Sequence, residues 1–434
     1  MRTKFIHINR EPIVNWPKTR NDHLHYDTAL TFRAFSVLVL ALSFIHTPLY
    51  NVDAGIFITP LRATLVLSST ILIASLSLTP KINTGLALAL LTFIACILSF
   101  KISAIASYPN PIHTRAIAHY IFGTAIATIT AAYFIKKRPT NFLLKTVLTL
   151  TYAGFILAFW ESLTGSHLPT SKIHNLDHQG WSPVTGTYFN RNDFSYALNI
   201  ASAFLLSLSI NKKASTSLKA AILVALFLST TIFVLNSANA AILTIILQLI
   251  ISLYFISTRR PQNLSNGTLR TVYLVSSIPL FISLFFSMGL FSYFSNLNPF
   301  GTTGGSATIR FNIHACSFNA LIERKGIGVG PGNSNVALES CNYYTHNIID
   351  PHSFILETIT EIGIFALIPA AFLVISKYIY NKKLSTSTTT SESITSWLFG
   401  ITIIIGSLGP SSASGMPIHW VALGTFVGSL FKKN

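Results

Sequence analysis

Residues 351–380 read PHSFILETITEIGIFALIPAAFLVISKYIY and join a short polar segment to a long apolar one. Built as an α-helix, the apolar part would be roughly 40 Å long, more than the hydrocarbon core of a bilayer requires. Glu357 and Glu361 lie four residues apart near its start and therefore share one helix face. Carboxylates at membrane depth usually face a bundle interior or a wet cavity, so the segment predicts a polar recess at one end of a helical bundle.

The rest of the chain has the same apolar character. Its 434 residues are 50% hydrophobic and only 10% charged, with a mean hydropathy of +0.55. Soluble domains carry about 25% charged residues, so this composition indicates a polytopic membrane protein instead. Twelve apolar runs are candidates for helices that cross a bilayer. They are 30–48, 63–79, 83–100, 116–135, 146–162, 194–211, 219–235, 240–257, 271–294, 354–380, 394–413 and 417–431.

The basic residues predict the orientation of the bundle. If the N-terminus is cytoplasmic, 22 of the 30 Lys and Arg residues fall on the cytoplasmic side and the other 8 fall outside. Positive charge collects in cytoplasmic loops, so both termini are predicted to be cytoplasmic. The same rule accounts for the net charge of +17 without a nucleic-acid partner. We predict an all-α polytopic membrane protein with about 12 transmembrane helices and a large outer loop with short helices.

Loop lengths divide the chain into four segments. Residues 1–28 form a basic cytoplasmic segment that rests on the anionic inner leaflet and its membrane lipids. Residues 29–294 contain the first nine spans, with an outer loop at 163–193. Residues 295–353 form the large outer loop, and residues 354–434 contain the last three spans. Loops of this length in a membrane protein are usually functional or disordered.

The large outer loop contains its own helical pattern. Residues 308–325 place apolar side chains at helical spacing, which predicts a short amphipathic helix near the outer interface. Cys316 and Cys341 both fall in this loop, where they could form a disulfide or remain two free thiols.

Three outer side chains have the chemistry that a charged, lipid-linked substrate requires. His352 stands directly before the Glu357 helix and could act as a general base near neutral pH; His346 is a competing candidate. Arg310 and Arg191 carry planar guanidinium groups that bind phosphate oxygens in bidentate fashion. The arginines and the glutamates also have plainer interpretations. Arg310 and Arg191 could meet lipid phosphate, and Glu357 and Glu361 could brace the helix N-terminus.

Between these residues lies a glycine-rich turn with Lys325 before it and Asn333 at its end. Gly328 and Gly330 could bring backbone N–H groups close to an anion, although a structural turn that shapes the loop is the better explanation. The turn does not follow a strand, so it is not a nucleotide-binding loop. The outer acidic residues are scattered, so we predict neither a metal site nor a cofactor.

In their order and spacing these motifs resemble the O-antigen ligase and O-antigen polymerase (Wzy-type) family of bacterial envelope glycosyltransferases. The resemblance rests on the glycine turn at 328–333, on Arg310 ahead of it, and on His352 nine residues before Glu361. A second segment, 186–194, resembles the family's Gly-x-x-x-Asn-x-Asn motif. The chain departs from the family at Ser353, where an asparagine is usual, and at 237–239, where a Ser-Arg pair is common.

The resemblance implies a bacterial inner-membrane protein whose active face is periplasmic. It would move a glycan from undecaprenyl pyrophosphate to an acceptor hydroxyl on lipid A-core or on a growing polysaccharide, by metal-independent inverting transfer. By the same resemblance, His352 and Arg310 would be catalytic. Substrate binding would fall to Arg191, Gly328, Gly330, Asn333, Glu361 and Lys325.

Other functions remain open at this point. Repeat-unit polymerisation and transfer to a protein share this chemistry with ligation and differ only in the acceptor. A multi-span transporter or glycolipid flippase is a further alternative, but such proteins often show internal repeats and charged groups at mid-membrane, which this sequence lacks. A non-catalytic scaffold is the third class.

Overall fold

The computed structural model describes most of the chain, and everything described is helix or connecting segment. The described residues are 20–45, 60–77, 84–107, 111–136, 141–171, 183–211, 215–258, 306–345, 348, 351–384, 390–410 and 413–432. The helices within them are α1 (Arg20–Ile45), α2 (Pro60–Ser77), α3 (Thr84–Ala106), α4 (Pro111–Lys136), α5 (Asn141–Thr164), α6 (Arg191–Asn211), α7 (Thr216–Leu235), α8 (Asn239–Thr258), α9 (Ser306–Glu323), α10 (Ser334–Glu339), α11 (Phe354–Ile362), α12 (Leu367–Leu384), α13 (Thr390–Ile404) and α14 (Pro417–Leu430).

Eleven of the twelve predicted apolar runs coincide with these helices, and the run at 271–294 lies outside the described residues. Within the described ranges, seven helices are long and apolar enough to cross a membrane. Four further apolar helices, in α1, α2, α13 and α14, are shorter. The protein is therefore a multi-pass membrane protein, while the count of twelve spans and the cytoplasmic termini stay predictions.

Side-chain contacts show that successive helices alternate in direction. The last turns of α1, α3, α5 and α7 and the first turns of α4, α6, α8 and α11 meet at one end of the bundle, which we call the site end. The Tyr188 hydroxyl donates to the Phe44 carbonyl there, and the Ser103 hydroxyl donates to the Glu361 carbonyl. At the opposite end the Lys377 ammonium donates to the Leu430 carbonyl.

Helix α6 is the centre of the bundle. Every residue from Asp193 to Ile210 is buried. The helices packed around α6 are α5, α7, α8, α13 and α14. Small residues allow such close packing, because helix backbones can approach where side chains are short. A small residue also allows close packing between α4 and α14, where Gly424 lies against the backbone of Ala127.

Two short helices create a recess at the site end. At 15 and 14 residues, α13 and α14 are each roughly 20 Å long, shorter than the hydrocarbon core. Gly406, just after α13, packs on Tyr196, and the Tyr196 hydroxyl bonds to His419 near the start of α14. Tyr196 lies five residues or about 7 Å below the start of α6. The described parts of the connection are 405–410 and 413–416. The connection therefore forms a floor beneath the rim of the bundle.

We expect Gly424→Ala to destabilise the protein. A Cβ at this position would lie 2.3 Å from the Ala127 carbonyl oxygen, on backbone that cannot move aside. Overpacking of this kind costs about 1–3 kcal/mol. The matched control is Gly400→Ala, also inside a helix, whose Cβ would meet only the Phe426 ring at 3.4 Å. Thermal unfolding in detergent measures both, and equal melting temperatures would contradict the close packing.

Candidate active site

The floor of the recess is held in place by side chains from several helices. The Arg310 guanidinium donates from Nη1 to the Leu408 carbonyl at 3.0 Å. The Ser414 hydroxyl donates to the Glu357 carboxyl, and the indole N–H of Trp420 donates to the Ser414 carbonyl at 2.7 Å. The floor is thus tied to α9, α11 and α14 together.

His352 lies on this floor. Its imidazole is close to the backbone of Gly409 and Pro410, and Nδ1 is buried without a hydrogen-bond partner among the described residues. Burial, followed by the charges of Arg310 and His314, lowers the pKa of His352 from 6.5 to about 4. The ring is therefore neutral at physiological pH, which is the form that can accept a proton.

The backbone at His352 is strained. Its φ of 51° is in the left-handed region, which costs an L-residue with a side chain about 1–2 kcal/mol. Directly after it, the Ser353 hydroxyl accepts from the Leu356 N–H at 3.3 Å and caps α11. Serine therefore does the capping at the position where the resembled family usually has asparagine. The cap and the strained turn together aim the imidazole at the floor.

Arg310 stands in the second turn of α9, one helical turn before His314. Burial and the Arg310 charge lower the pKa of His314 as well. The structure therefore brings Arg310 and His352 together, as the sequence predicted, and adds a second imidazole that sequence analysis had passed over. The Arg310 cation acts on both imidazoles and produces a positive potential that favours an anionic ligand.

Arg191 is placed at the same end by a different set of contacts. It is the first residue of α6 and is exposed, and its carbonyl accepts from the Asn236 amide at 3.2 Å. Asn236 immediately precedes Ser237, whose φ is also 51°, at the position where the resembled family has its Ser-Arg pair. The backbone of Arg191 therefore lies beside the site of that missing arginine.

The backbone around Ser237 contacts the floor of the recess through the first residues of α8. A Cβ built on Gly409 would lie 3.5 Å from the Cβ of Ala240. Ala240 is three residues after Ser237, so the Arg191 region and the His352 region are joined by contiguous contacts.

The glycine turn has a structural role, as the preferred interpretation of its sequence had it. The N–H groups of Val329 and Gly330 donate to the carbonyls of Thr360 and Glu361, both at 2.9 Å. A Cβ on Gly328 would lie 2.6 Å from the Glu361 carbonyl oxygen. These amides close the C-terminal end of α11, so the Gly330 amide is not available to a phosphate, while a phosphate contact of Gly328 stays a prediction.

Glu361 was predicted to bind substrate, but its carboxyl group is held by other residues of the protein. Its carboxyl group is 2% exposed and accepts from the Tyr120 hydroxyl at 2.6 Å and the Ser334 hydroxyl at 2.8 Å. The backbone amides of Gly332 and Ser334 also bond to it. Glu361 therefore joins α4, the glycine turn and α11, and it cannot reach a substrate without breaking these bonds.

The remaining predicted residues lie farther out. Lys325 is exposed in the turn after α9, with a φ of 53°, and Asn333 donates from its amide to the Val329 carbonyl at 3.0 Å. The predicted amphipathic helix is confirmed as α9, and Cys316 and Cys341 form a disulfide with a Cα–Cα distance of 5.7 Å. His346 lies outside the described residues.

Sequence analysis missed the residues that hold the segment 183–190. Glu161 is fully buried, and its Oε2 accepts from the N–H groups of Thr185 and Gly186 at 2.7 and 2.9 Å. Asn190 then caps α6 by accepting from the Asp193 N–H at 2.9 Å. A carboxylate one turn before the end of an apolar helix was the signal available for Glu161.

No group of three or more His, Cys, Asp or Glu side chains that could hold a metal occurs in the part of the chain that the structure describes. Near the Arg310 guanidinium, the recess contains the imidazoles of His352 and His314.

The fold and the recess define a multi-pass membrane protein with a polar site at one end. Residues 223–371 match the model of the family described as O-antigen ligase (Wzy_C). The matched region contains Arg310, the glycine turn and His352, but not Arg191. The family resemblance seen in the motifs is thereby confirmed.

A curated relative points in the same direction. The chain is 24% identical over 300 residues to the teichuronic acid biosynthesis protein TuaE of Bacillus subtilis (strain 168). The match covers 65% of this chain and 59% of TuaE, so this chain spans about three fifths of the relative's length.

The lowered pKa of His352 predicts a pH dependence of stability. Its folded-state pKa of about 4 is below the ordinary 6.5, so the unfolded chain binds more protons between these values. The free energy of unfolding should therefore fall as the pH drops from 6.5 to 4, by at most about 3 kcal/mol from this residue. Unfolding of wild type and His352→Gln at several pH values isolates the contribution, and parallel curves would contradict it.

Removing the Tyr120 hydroxyl should loosen the Glu361 cluster. Tyr120→Phe leaves a buried carboxyl oxygen without one of its donors, at a cost of about 1–3 kcal/mol. Tyr254→Phe is the control, because Tyr254 is 62% exposed. We expect only Tyr120→Phe to lower the melting temperature; an equal shift in both variants would show that the hydrogen bond contributes nothing.

Proposed function

We propose that this protein is a membrane glycosyltransferase of polysaccharide biosynthesis, which moves a glycan from a polyprenyl diphosphate to an acceptor hydroxyl. The observation that carries the proposal is the position of the neutral His352 imidazole beside the Arg310 guanidinium in one recess. A proton acceptor next to a phosphate-binding cation is what this transfer needs. The family match over 223–371 supports the same chemistry.

The reaction is a single displacement. The acceptor oxygen forms a bond to the anomeric carbon while the bond from that carbon to the diphosphate oxygen breaks. His352 takes the hydroxyl proton, and the diphosphate leaves with the electron pair. Arg310, with Arg191, stabilises the charge that develops on the diphosphate, as preorganised donors do in other transferases. The configuration at the anomeric carbon is inverted.

The two residues are coupled through charge. Arg310 is one of the causes that hold the His352 pKa near 4. When a diphosphate neutralises Arg310, that repulsion falls and the pKa of His352 rises, which makes the ring a stronger base with the donor bound. The recess would therefore become competent for proton transfer only when it is loaded.

The lipid part of the donor has a suitable place. An apolar cleft of about 260 Å³ lies between α1, α5 and α6, lined by Phe44, Leu157, Phe194 and their neighbours. Arg191 begins the helix whose next turns form one wall of this cleft. A diphosphate held at Arg191 would leave the first isoprene units beside that wall.

Ligation of a finished glycan and polymerisation of repeat units use this same chemistry. The family description favours the ligase, and the relative named for teichuronic acid biosynthesis favours chain assembly. The two differ in the glycan profile of a strain that lacks the protein. Unattached long glycan on lipid would indicate a ligase, whereas a single repeat unit on the core would indicate a polymerase.

His352→Ala should reduce transfer by about 10²–10⁴-fold, the range that a general base contributes. Arg310→Ala should reduce it by about 10²–10³-fold, because a charge-stabilising donor is lost. Arg310→Lys should recover only part of the activity, since lysine lacks the planar fork. Activity is measured as glycan transfer by purified protein from a lipid-diphosphate donor.

The matched control is His119→Ala, on the exposed side of α4 near the same end of the bundle. It should transfer at the wild-type rate. If His352→Ala also does so while expressing normally, the enzyme proposal fails and a transporter or scaffold becomes the better explanation.

A further inference from the structure

A cleft of about 490 Å³, lined by both polar and apolar side chains, lies outside the bundle, between α9 and α10. This volume is within the range of sites that bind small molecules. The cleft is separate from the recess: its wall on α9 begins at Cys316, six residues or about 9 Å along the helix from Arg310. The rotation of the helix over those residues also turns the cleft away from the Arg310 side.

The lining has the hydrogen-bonding groups that polyhydroxylated ligands need. Each amide side chain both donates and accepts, and a carboxylate and a guanidinium can each pair with two adjacent hydroxyls. A tyrosine ring adds an apolar surface for the C–H face of a sugar. These side chains are Asn319, Asn333, Asn342, Glu323, Arg324 and Tyr343.

The cleft is preformed. The Cys316–Cys341 disulfide ties its two sides together across 25 residues of sequence. The Asn319 amide donates to the Tyr343 hydroxyl at 3.3 Å, and the Asn312 amide donates to the Tyr344 carbonyl at 2.9 Å. A rigid cleft loses less conformational entropy when a ligand binds.

Two residues that line the cleft belong to the segment that also supports the recess. They are Val329 and Asn333, and the Asn333 amide donates to the Val329 carbonyl. The residues that flank Asn333 hold Glu361, and Glu361 belongs to the helix that starts two residues after His352. The cleft and the recess are therefore built on the same piece of backbone.

Other ligand classes fit less well. A nucleic acid requires several cations along its backbone, whereas here the guanidinium of Arg324 follows the carboxylate of Glu323 directly. A lipid chain requires apolar walls, and this lining is rich in amide and charged groups.

We propose that this cleft is an oligosaccharide subsite, which binds a part of the glycan several sugar rings from the reacting one. The proposal rests on the proposed function, because that function supplies a glycan at this end of the protein. The bound chain belongs to either the donor or the acceptor, and both present the same hydroxyl chemistry.

The test compares two double variants of the full-length protein. Asn319→Ala with Asn342→Ala removes two amides from the cleft. Asn335→Ala with Glu339→Gln, which keeps Asn319 and Asn342, changes two exposed residues of α10 that do not line the cleft. With long glycan chains, the cleft variant should show a KM about tenfold higher and an unchanged kcat. With a single repeat unit, its KM should equal that of wild type.

The substrate whose KM rises identifies the source of the bound chain. A higher KM for the donor shows that the cleft binds the donor glycan, and a higher KM for the acceptor shows that it binds the acceptor glycan. An unchanged KM for both long substrates in an active enzyme would overturn the subsite. A fall in kcat with unchanged KM would also overturn it, because a binding cleft remote from the recess acts through affinity.

A binding measurement keeps this proposal separate from the transferase proposal. The probe is a set of oligosaccharides of graded length cut from the host's own polysaccharide, titrated into the His352→Ala protein, which needs no turnover. Length-dependent binding that is lost in the cleft variant supports the subsite even if wild type transfers nothing. Absence of binding in the parent protein overturns the subsite whether or not wild type is active.

Discussion

The structure of the site depends on one buried carboxyl group. Glu361 lies inside a helix that crosses the membrane, where an unsatisfied polar group would cost several kcal/mol. Its oxygens are satisfied by Tyr120 from α4 and by Ser334 and its amide from the start of α10. Because the donors come from the outer segment as well as from the bundle, satisfying this carboxyl fixes the outer segment onto the bundle.

The consequence of that arrangement is a shared frame for the reacting groups. The glycine turn closes the end of α11, and α11 begins directly after His352. Helix α9 precedes the turn and carries Arg310 to the Leu408 carbonyl on the floor. The imidazole and the guanidinium come from segments 42 residues apart, as the numbers 310 and 352 show, yet the Glu361 cluster sets their relative position.

The depth of the recess has a separate cause. Helices α13 and α14 are too short to reach the rim, so their connection forms a floor that is partly shielded from water. Shielding lowers the pKa of His352 and strengthens the effect of Arg310 on it. The same shielding would strengthen the attraction of an anionic diphosphate to Arg310. Short helices thus produce the electrostatic conditions that the proposed transfer requires.

Much of this could be predicted from the sequence because its signals are local. A continuous apolar run must form a helix in a membrane, and eleven such runs coincide with described helices. The spacing of apolar residues in 308–325 likewise predicted α9. The pairing of Cys316 with Cys341 was left open, since a sequence does not give the distance between two loop residues.

The glycine turn shows where sequence analysis fails. Glycines permit close approach of backbone to an anion, and the sequence showed that freedom correctly. It could not show that the Gly332 and Ser334 amides bond to the Glu361 carboxyl group of the same chain, or that the amides of Val329 and Gly330 are used by α11. The Gly330 amide is therefore not available to a phosphate, which favours the structural interpretation of the turn. A phosphate contact of Gly328 stays a prediction.

By itself, the sequence determined that this is a multi-pass helical protein with a histidine and arginines gathered at one end, because hydropathy and residue type act locally. Only the tertiary structure decided which polar groups are used internally and which face the recess. Hydrogen bonding is exclusive: an amide that donates to a neighbouring helix cannot also hold a substrate, and that choice depends on contacts between residues far apart in the chain.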